Sequence, residues 1–310
     1  MIKSFNEDVV TIRVPAPPLG VDLTNDGTLA AVAMFAAPGV PSVCVYDTTT
    51  GELVTKVAET AGFGRSAVFG KDGRSLYGLV EDASCLTVEL REYPLGEDDG
   101  VLLATYARSE DCYALVRNRA ADALAVLGRD VRVLRANGAG SPPEVVRIIP
   151  GGAPSRRAHA RLSADSAHVY YSTHAADHVV RWDLERDRED RRWPTPGVNG
   201  RIAISRSGRH LIVRNHGVQG VVVLDTETGE RFMPDDFNEE SYTGEYAFAP
   251  DERGFAYQAG GRAGFREWSQ ERTRGPKLHD GRILGLHGAW DADVYVYEYA
   301  EFRLCVARMS

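Results

Sequence analysis

Short apolar runs alternate with polar turns along nearly the whole chain. A turn rich in Asp, Gly or Ser returns at a period of roughly 40 to 50 residues, a spacing typical of propeller and solenoid repeats. Seven such turns occur, at positions 24–27, 70–73, 120–122, 163–166, 205–208, 249–252 and 289–291. We therefore interpret the chain as seven copies of one supersecondary unit.

Two strand-like runs follow each turn. The first runs are LAAVAMF, SLYGLV, ALAVLG, HVYYST, HLIVRN, GFAYQA and DVYVYEY, and the second runs are SVCVYD, CLTVEL, VRVLRA, HVVRWD, GVVVLD, GFREWS and FRLCVA. Short β-branched and aromatic runs between polar turns indicate strands and hairpins. No segment has a sustained helical period of apolar residues. The sequence therefore predicts an all-β fold.

Several of the second runs end in a large apolar residue followed by a polar one. These endings are Tyr46-Asp47, Trp182-Asp183, Leu224-Asp225 and Trp268-Ser269. At these positions the sequence resembles a WD-repeat-like β-propeller, although only Trp182-Asp183 among them is a literal Trp-Asp pair and the Gly-His dipeptide is missing. The resemblance extends over nearly the whole chain and implies seven four-stranded antiparallel blades around a central channel.

The last predicted unit is one strand short, because it offers strands only near 282–286, 294–299 and 302–307. An unused apolar run, residues 9–14, precedes the first unit. Pairing this N-terminal strand as the outermost strand of the last blade closes the ring and places Thr11 beside Cys305, which removes an exposed strand edge. We predict a single β-propeller domain over 1–310, with blades at about 19–62, 63–108, 109–155, 156–198, 199–240, 241–279, and 280–310 completed by 8–14.

Composition and charge limit the partners and the cellular location that we expect for this protein. The net charge of -8 repels polyanions, so we expect no nucleic-acid partner. The stretch 29–46 has eighteen residues without a charge but contains Pro38, Gly39 and Pro41, which favour two strands and a loop over a membrane span. The first residues lack a signal-peptide apolar stretch, and we expect a cytoplasmic protein. Four dispersed cysteines are interpreted as reduced core thiols: Cys44, Cys85, Cys112 and Cys305.

The candidate binding residues lie in loops that the propeller resemblance places around one end of the channel. That end carries the loops between the second and third strands and the connections between blades, where partners of propellers usually dock. We expect a non-enzymatic interaction module that binds a protein or peptide partner there and needs no cofactor. The expected contact residues are Arg65, Arg129, Arg157, His174, Arg201, His216 and Arg262.

Two other functions draw on the same loops. A small-molecule hydrolase, similar to lactone-cleaving propellers, would use channel-mouth carboxylates, amides and imidazoles. The candidates for that chemistry are His216, Asn215, His174, Glu81, Asp111 and Glu301. Alternatively, the arginines and histidines that cluster in blades four and five would hold a small anion by charge-assisted hydrogen bonds. The usual nucleophile-elbow, phosphate-loop, dinucleotide and zinc-protease motifs are absent from the sequence.

Metal binding is not expected. His174 and His178 are four residues apart, which is about 13 Å along a strand and too far to share one zinc ion. The acidic segment 234–245 has five carboxylates but lacks the ordered spacing of a calcium loop. The segment 181–192 has equal numbers of arginines and acidic residues and predicts a solvated hairpin between outer strands.

Overall fold

The fold is a closed ring of β-sheets. A computed structural model of the chain describes residues 9–37, 39–58, 63–82, 84–97, 100–137, 141–150, 159–172, 178–195, 198–216, 221–232, 246–259, 262–267, 273–274, 283–299 and 302–308. Within these ranges the strands form seven four-stranded antiparallel sheets. The first strands of neighbouring sheets contact each other in order around the ring. This confirms the predicted seven-bladed, all-β propeller.

Each blade contains consecutive strands, numbered here in chain order. Blade 1 contains β2 (Pro18–Leu23), β3 (Leu29–Met34), β4 (Val43–Asp47) and β5 (Leu53–Ala58). Blade 2 contains β6 (Gly64–Phe69), β7 (Ser75–Glu81), β8 (Thr87–Pro94) and β9 (Val101–Ala107). A short 3-10 turn, Arg108–Glu110, leads into blade 3, which contains β10 (Ala114–Arg117), β11 (Ala123–Leu127), β12 (Val131–Arg135) and β13 (Glu144–Ile149).

The remaining blades repeat this order. Blade 4 contains β14 (His159–Leu162), β15 (His168–Ser172), β16 (His178–Asp183) and β17 (Arg188–Pro194). Blade 5 contains β18 (Val198–Ile204), β19 (His210–His216), β20 (Val221–Asp225) and β21 (Arg231–Phe232). Blade 6 contains β22 (Tyr246–Phe248), β23 (Gly254–Ala259), β24 (Arg262–Glu267) and β25 (Thr273–Arg274). Blade 7 contains β26 (Ile283–Gly288), β27 (Val294–Tyr299) and β28 (Arg303–Arg308).

The N-terminal strand completes blade 7. Strand β1 (Val10–Arg13) pairs antiparallel with β28, and Thr11 lies opposite Cys305, as the sequence predicts. Ile12 is fully buried and packs with Leu304 and with residues of blade 1. Burial of an isoleucine side chain stabilises a fold by about 1.5–3 kcal/mol. The first strand therefore joins blade 7 both by its backbone and by its core contacts.

The seven predicted turns connect the first and second strands of the blades. In blade 1 the N–H of Gly27 donates to the carbonyl of Thr24 at 2.9 Å, and the N–H of Thr24 donates to the carbonyl of Leu29 at 3.0 Å. In six of the turns, the residue whose N–H donates to the carbonyl three positions earlier has a left-handed backbone, which glycine adopts most easily. These residues are Gly27, Gly73, Ala121, Ser166, Gly208 and Glu252.

A second kind of turn connects the third and fourth strands on the same face of the ring. In blade 1 the Asp47 carboxylate accepts from the N–H groups of Thr49 and Thr50, and the Thr48 hydroxyl donates to the Gly27 carbonyl. Blade 5 repeats this arrangement, with Asp225 in the same role and Thr226 donating to the Gly208 carbonyl at 2.9 Å. The two kinds of turn are thus hydrogen-bonded to each other.

The structure contains the predicted charged hairpin and buries three of the four cysteines. Segment 181–192 forms the β16–β17 hairpin, as predicted, with Arg181 and Arg192 donating to Asp190 and Glu189. Cys44, Cys112 and Cys305 are buried free cysteines, but Cys85 is partly exposed because it lies in a tight turn before β8. The acidic segment 234–245 and His174 lie outside the described residues.

Within the ranges given above, no group of three or more His, Cys, Asp or Glu side chains is arranged to hold a metal ion. Across the same residues, no helix has the length and apolar character needed to cross a bilayer.

Turn geometry gives a direct test of the fold. A Cβ on Gly27 would lie 2.7 Å from the Val294 Cβ of blade 7, whereas a Cβ on Gly208 would meet nothing closer than 3.8 Å. Both glycines have positive φ, which costs alanine about 1–2 kcal/mol. Gly27→Ala adds a packing clash of about 1–3 kcal/mol. We expect urea unfolding to show a clearly larger loss of stability for Gly27→Ala than for Gly208→Ala, and equal losses would contradict the contact between blades 7 and 1.

Candidate functional site

A cavity of about 320 Å³ lies on the axis of the ring, and all seven first strands contribute to its lining. Because the first strands run in parallel around the axis, the two ends of this channel differ. The mouth face carries the loops between second and third strands and the connections between blades. The turn face carries the two kinds of turn described above.

Of the predicted site residues whose side chains the structure describes, Arg65 and Glu81 are in direct contact. Arg65 Nε donates to Glu81 Oε1 at 2.8 Å, and Arg65 Nη1 donates to the Cys112 carbonyl of blade 3 at 2.9 Å. Both side chains are nearly buried, at 9% and 8% exposed. The pair therefore ties blade 2 to blade 3 beside the channel.

A β-bulge explains why Arg65 points into this position. The register of β6 against β7 shifts between Gly64 and Ser66, so that Arg65 is the extra residue. A bulge changes the direction of one side chain relative to the regular alternation of a strand. Blade 1 has the same shift between Pro18 and Gly20, which places Leu19 at the corresponding position of the channel mouth.

Asp111 and Arg129 lie close to this pair on the mouth face. Asp111 has a left-handed backbone and ends the 3-10 turn, where its N–H donates to the Arg108 carbonyl at 3.0 Å. Arg129 lies exposed between β11 and β12, and its N–H donates to the Glu110 carbonyl at 2.8 Å. Asp111 therefore follows Glu110 in the chain, and Arg129 contacts Glu110 through a backbone hydrogen bond.

The other predicted site residues are described partly or not at all. Arg157, His174 and Glu301 lie outside the described residues. Only the backbone is described for the four remaining residues, which are Arg201 in β18, Asn215 and His216 in β19, and Arg262 in β24. His216 pairs with Val198, and Asn215 with Asn199, at the mouth end of blade 5.

Cys112 lies between two arginines near the mouth. Burial raises the pKa of the Cys112 thiol to about 11, and the opposing charge of Arg132 does not offset this. Arg132 Nη1 lies 3.8 Å from the sulfur, and its guanidinium lies over the Tyr106 ring. The thiol is therefore protonated at neutral pH and is not an activated nucleophile.

A hydrogen-bond network that the sequence did not indicate crosses the turn end of the channel. Arg117, at the end of β10, donates to Asp22 at 2.8 Å, to the Leu23 carbonyl at 2.6 Å and to Asn25 at 2.9 Å. Asp22 also accepts from the N–H of Phe69 at 2.9 Å. Arg117 thus connects blade 3 to blade 1, past blade 2, and its side chain is only 3% exposed.

The same network continues to blades 5 and 7. Asp291 accepts two hydrogen bonds from Arg119, at 2.7 and 3.0 Å, and lies 3.3 Å from a guanidinium nitrogen of Arg206. Asn25 donates to the Arg119 carbonyl at 2.9 Å, while its own carbonyl accepts from the N–H of Asp291 at 2.8 Å. Side chains from four blades therefore meet at this end of the axis.

A histidine and a buried carboxylate form another contact along the channel wall. His287 Nε2 lies 2.7 Å from Glu298 Oε1, and Glu298 is 6% exposed. Both residues line the channel from blade 7. With an ionised carboxylate as partner, the imidazole Nε2 acts as the donor.

The mouth face also carries an aromatic pair, in which Phe35 is exposed and Phe63 is partly buried. Phe35, directly after β3, stacks on Phe63, directly before β6, with ring centroids 4.2 Å apart and an interplanar angle of 3°. Phe35 is 52% exposed, although the sequence pattern had placed it at the end of a strand. Among the residues that the structure describes, three other large exposed apolar side chains share this face: Leu19, Leu86 and Phe302.

Comparison with known proteins supports the fold. No protein-family profile matches the chain, and no curated protein sequence matches it. Among solved structures, the chain is similar to the β-propeller domain of Cps50 (Swd1) from Myceliophteria thermophila, with a TM-score of 0.74, 12% identity and complete coverage of both chains. The likeness concerns the fold alone and, together with the strand order, establishes a seven-bladed β-propeller.

The network at the turn end can be tested by two arginine substitutions. Arg117→Met leaves the Asp22 carboxylate and the Leu23 carbonyl without their buried donor, which costs about 3–5 kcal/mol. Arg119→Gln removes a pair whose side chains are 36% and 29% exposed, and such pairs contribute about 1 kcal/mol or less. We expect chemical denaturation to rank the two losses in that order. Similar small losses for both variants would show that the network does not hold the blades together.

Proposed function

We propose that the chain is a non-enzymatic interaction module that binds a protein or peptide partner on its mouth face. The observation that carries this proposal is the distribution of exposed apolar side chains. Among the described residues, large exposed apolar side chains occur on the mouth face and on outer strands, and none occurs in the loops of the turn face. Exposed apolar clusters rimmed by polar groups are typical of protein interaction sites.

The stacked pair of Phe35 and Phe63 is the proposed anchor of this surface. Large aromatic side chains supply much of the binding energy at protein interfaces. The pair joins blade 1 to the start of blade 2, so its position is fixed by two packed sheets. A rigid apolar platform loses little conformational entropy when a partner covers it.

The turn face is less suited to this role. Its turns satisfy their own polar groups, as the hydroxyls of Thr48 and Thr226 and the carboxylates of Asp47 and Asp225 illustrate. Polar groups that already have partners gain little from a new contact, because a hydrogen bond contributes only about 0.5–1.5 kcal/mol net when it is exchanged for another. The apolar groups of the mouth face gain more from being covered.

The similarity to a solved propeller domain is consistent with an interaction role but does not identify a partner. The hydrolase alternative relies on His174, Asn215, His216 and Glu301, whose side chains are not described, and on Glu81, which is held by Arg65. None of these observations favours a reaction over binding. The expected contact residues Arg129, Arg157, Arg201 and Arg262 remain candidates for the polar rim of the interface.

Two substitutions with equal exposure test the proposed surface. The native protein is first affinity-purified, and a protein that co-elutes in stoichiometric amount is then purified and titrated against variants by calorimetry. Phe35→Ser removes the aromatic anchor and is expected to weaken binding roughly 30-fold, the effect of a 2 kcal/mol hot spot. Val54→Ser, on an outer strand of the same blade and also 52% exposed, is expected to leave the affinity unchanged.

The control variant also defines the contradicting result. If Val54→Ser weakens binding and Phe35→Ser does not, the partner binds the outer strands and the mouth-face proposal is wrong. Thermal unfolding of both variants checks that each remains folded at the temperature of the titration.

A further inference from the structure

Among the described strands, none pairs with the outer edge of β9. Strand β9 is the outermost strand of blade 2, and its inner edge pairs with β8. Its sequence, VLLATYA, contains no charged residue and no proline, whereas each of the six other outer strands contains at least one arginine, lysine or glutamate. Charged side chains are a usual means of keeping an exposed edge from pairing with another chain. Among the outer strands, β9 alone lacks this protection.

The regular part of this edge lies at the mouth end of the strand. The register against β8 shifts at Leu103, so a bulge separates the start of β9 from the regular stretch 104–107. A bulge locally disrupts strand pairing. Directly beyond Ala107, the chain bonds to Leu86, whose side chain is 68% exposed and belongs to the apolar surface of the mouth face. The regular part of the edge therefore continues the proposed binding surface.

The alternation of the antiparallel ladder shows which backbone groups of β9 point outwards. Opposite residues in such a ladder alternate between pairs that exchange hydrogen bonds and pairs that do not. The Arg108 N–H donates to the Leu86 carbonyl at 3.0 Å, and the register continues without a shift to Ala104. Tyr106 therefore also bonds to β8. The N–H and carbonyl groups of Thr105 and Ala107 point away from β8, towards the open edge.

One of these outward groups already has a substitute partner. The Ala107 N–H donates to Glu110 Oε1 at 2.9 Å, so a carboxylate oxygen takes the place that a carbonyl of a neighbouring strand would occupy. The other carboxylate oxygen of Glu110 accepts from Arg132, and this ion pair remains when a peptide carbonyl displaces Glu110 from Ala107. In the part of the chain that the structure describes, no group bonds to the outward N–H and carbonyl of Thr105.

We propose that an extended segment of the protein partner pairs with residues 104–107 and adds a fifth strand to blade 2. This inference rests on the proposed function and names how the partner binds. An added strand gains affinity from main-chain hydrogen bonds and specificity from its alternate side chains. The outward groups of Thr105 and Ala107 supply the hydrogen bonds, and Leu86 lies at the end of the edge, where the segment reaches the mouth face.

A second copy of the chain fits this edge less well. Each copy has a net charge of -8, and a large net charge of one sign disfavours self-association. Because β9 offers no charged side chain, the segment that fits it is uncharged and rich in β-branched residues, which favour cross-strand packing.

The probe is the heptapeptide KVTVTVK, acetylated and amidated at its ends, with terminal lysines for solubility. Its counterpart has N-methyl groups on two consecutive central residues, which block both of its edges without changing its charge. We expect calorimetry to detect binding of the unmodified peptide alone. In the native protein, hydrogen exchange of the Thr105 amide should slow roughly tenfold when the peptide is bound, while exchange in the outer strand β5 stays unchanged.

Thr105→Pro and Thr105→Ala are the matched variants. Proline removes the outward N–H but no hydrogen bond to β8, and edge positions of this kind tolerate proline. Alanine removes the side chain and keeps the N–H. We expect Thr105→Pro to weaken peptide binding roughly tenfold and Thr105→Ala to change it less than about twofold. Thermal unfolding checks that both variants fold, and the exchange measurement on the native protein tests the edge without any substitution.

Three results would overturn the inference. Equal binding of the N-methylated peptide, or equal losses for Thr105→Ala and Thr105→Pro, would show recognition through side chains or charge. A dimer in sedimentation equilibrium that Thr105→Pro dissociates would assign the edge to a second copy of the chain. If Phe35→Ser weakens binding of the purified partner and Thr105→Pro does not, the edge takes no part and the proposed function stands. The reverse result would support the edge and contradict the aromatic anchor.

Discussion

The pairing of β1 with β28 is the contact on which the ring depends. Each blade buries its apolar faces against two neighbours, so blades 7 and 1 gain their second neighbour only when the ring closes. Ile12 shows how this works, because it pairs with Leu304 across the sheet and packs among side chains of blade 1. A few backbone hydrogen bonds thereby couple the two ends of the chain to the packing of every sheet between them.

The architecture was predictable because its signals are local. A turn that needs a left-handed residue selects glycine, as at Gly27 and Gly208, and a turn with such a residue returns in six of the seven blades. The strands beside the turns are short and rich in β-branched residues, which indicates sheets without reference to tertiary contacts. The missing strand of the last unit then required the N-terminal run, and the register of Thr11 with Cys305 confirms it.

The candidate site was less predictable because its contacts are long-range. Arg117 lies 95 positions from Asp22, and nothing in the residues around Arg117 indicates that its guanidinium crosses the axis. Arg65 belongs to a bulge that turns it between two blades, and such a shift in register leaves no clear pattern in sequence. In the sequence, Phe35 continues the apolar run of β3. Its exposure follows from the end of β3 at Met34, which the run does not indicate. The Asp-Thr-x-Thr-Gly segments at 47–51 and 225–229 were a usable signal for the second turns.

Closure by an antiparallel outer strand has a topological consequence. Val10 lies opposite Val306, so the end of β28 and the beginning of β1 are neighbours at the edge of one sheet. A short hairpin loop could join them, and the backbone could then be cut between any two blades without removing a strand from its sheet. The fold therefore does not depend on which blade junction contains the chain ends. Circular permutants opened at different blade junctions should share one architecture.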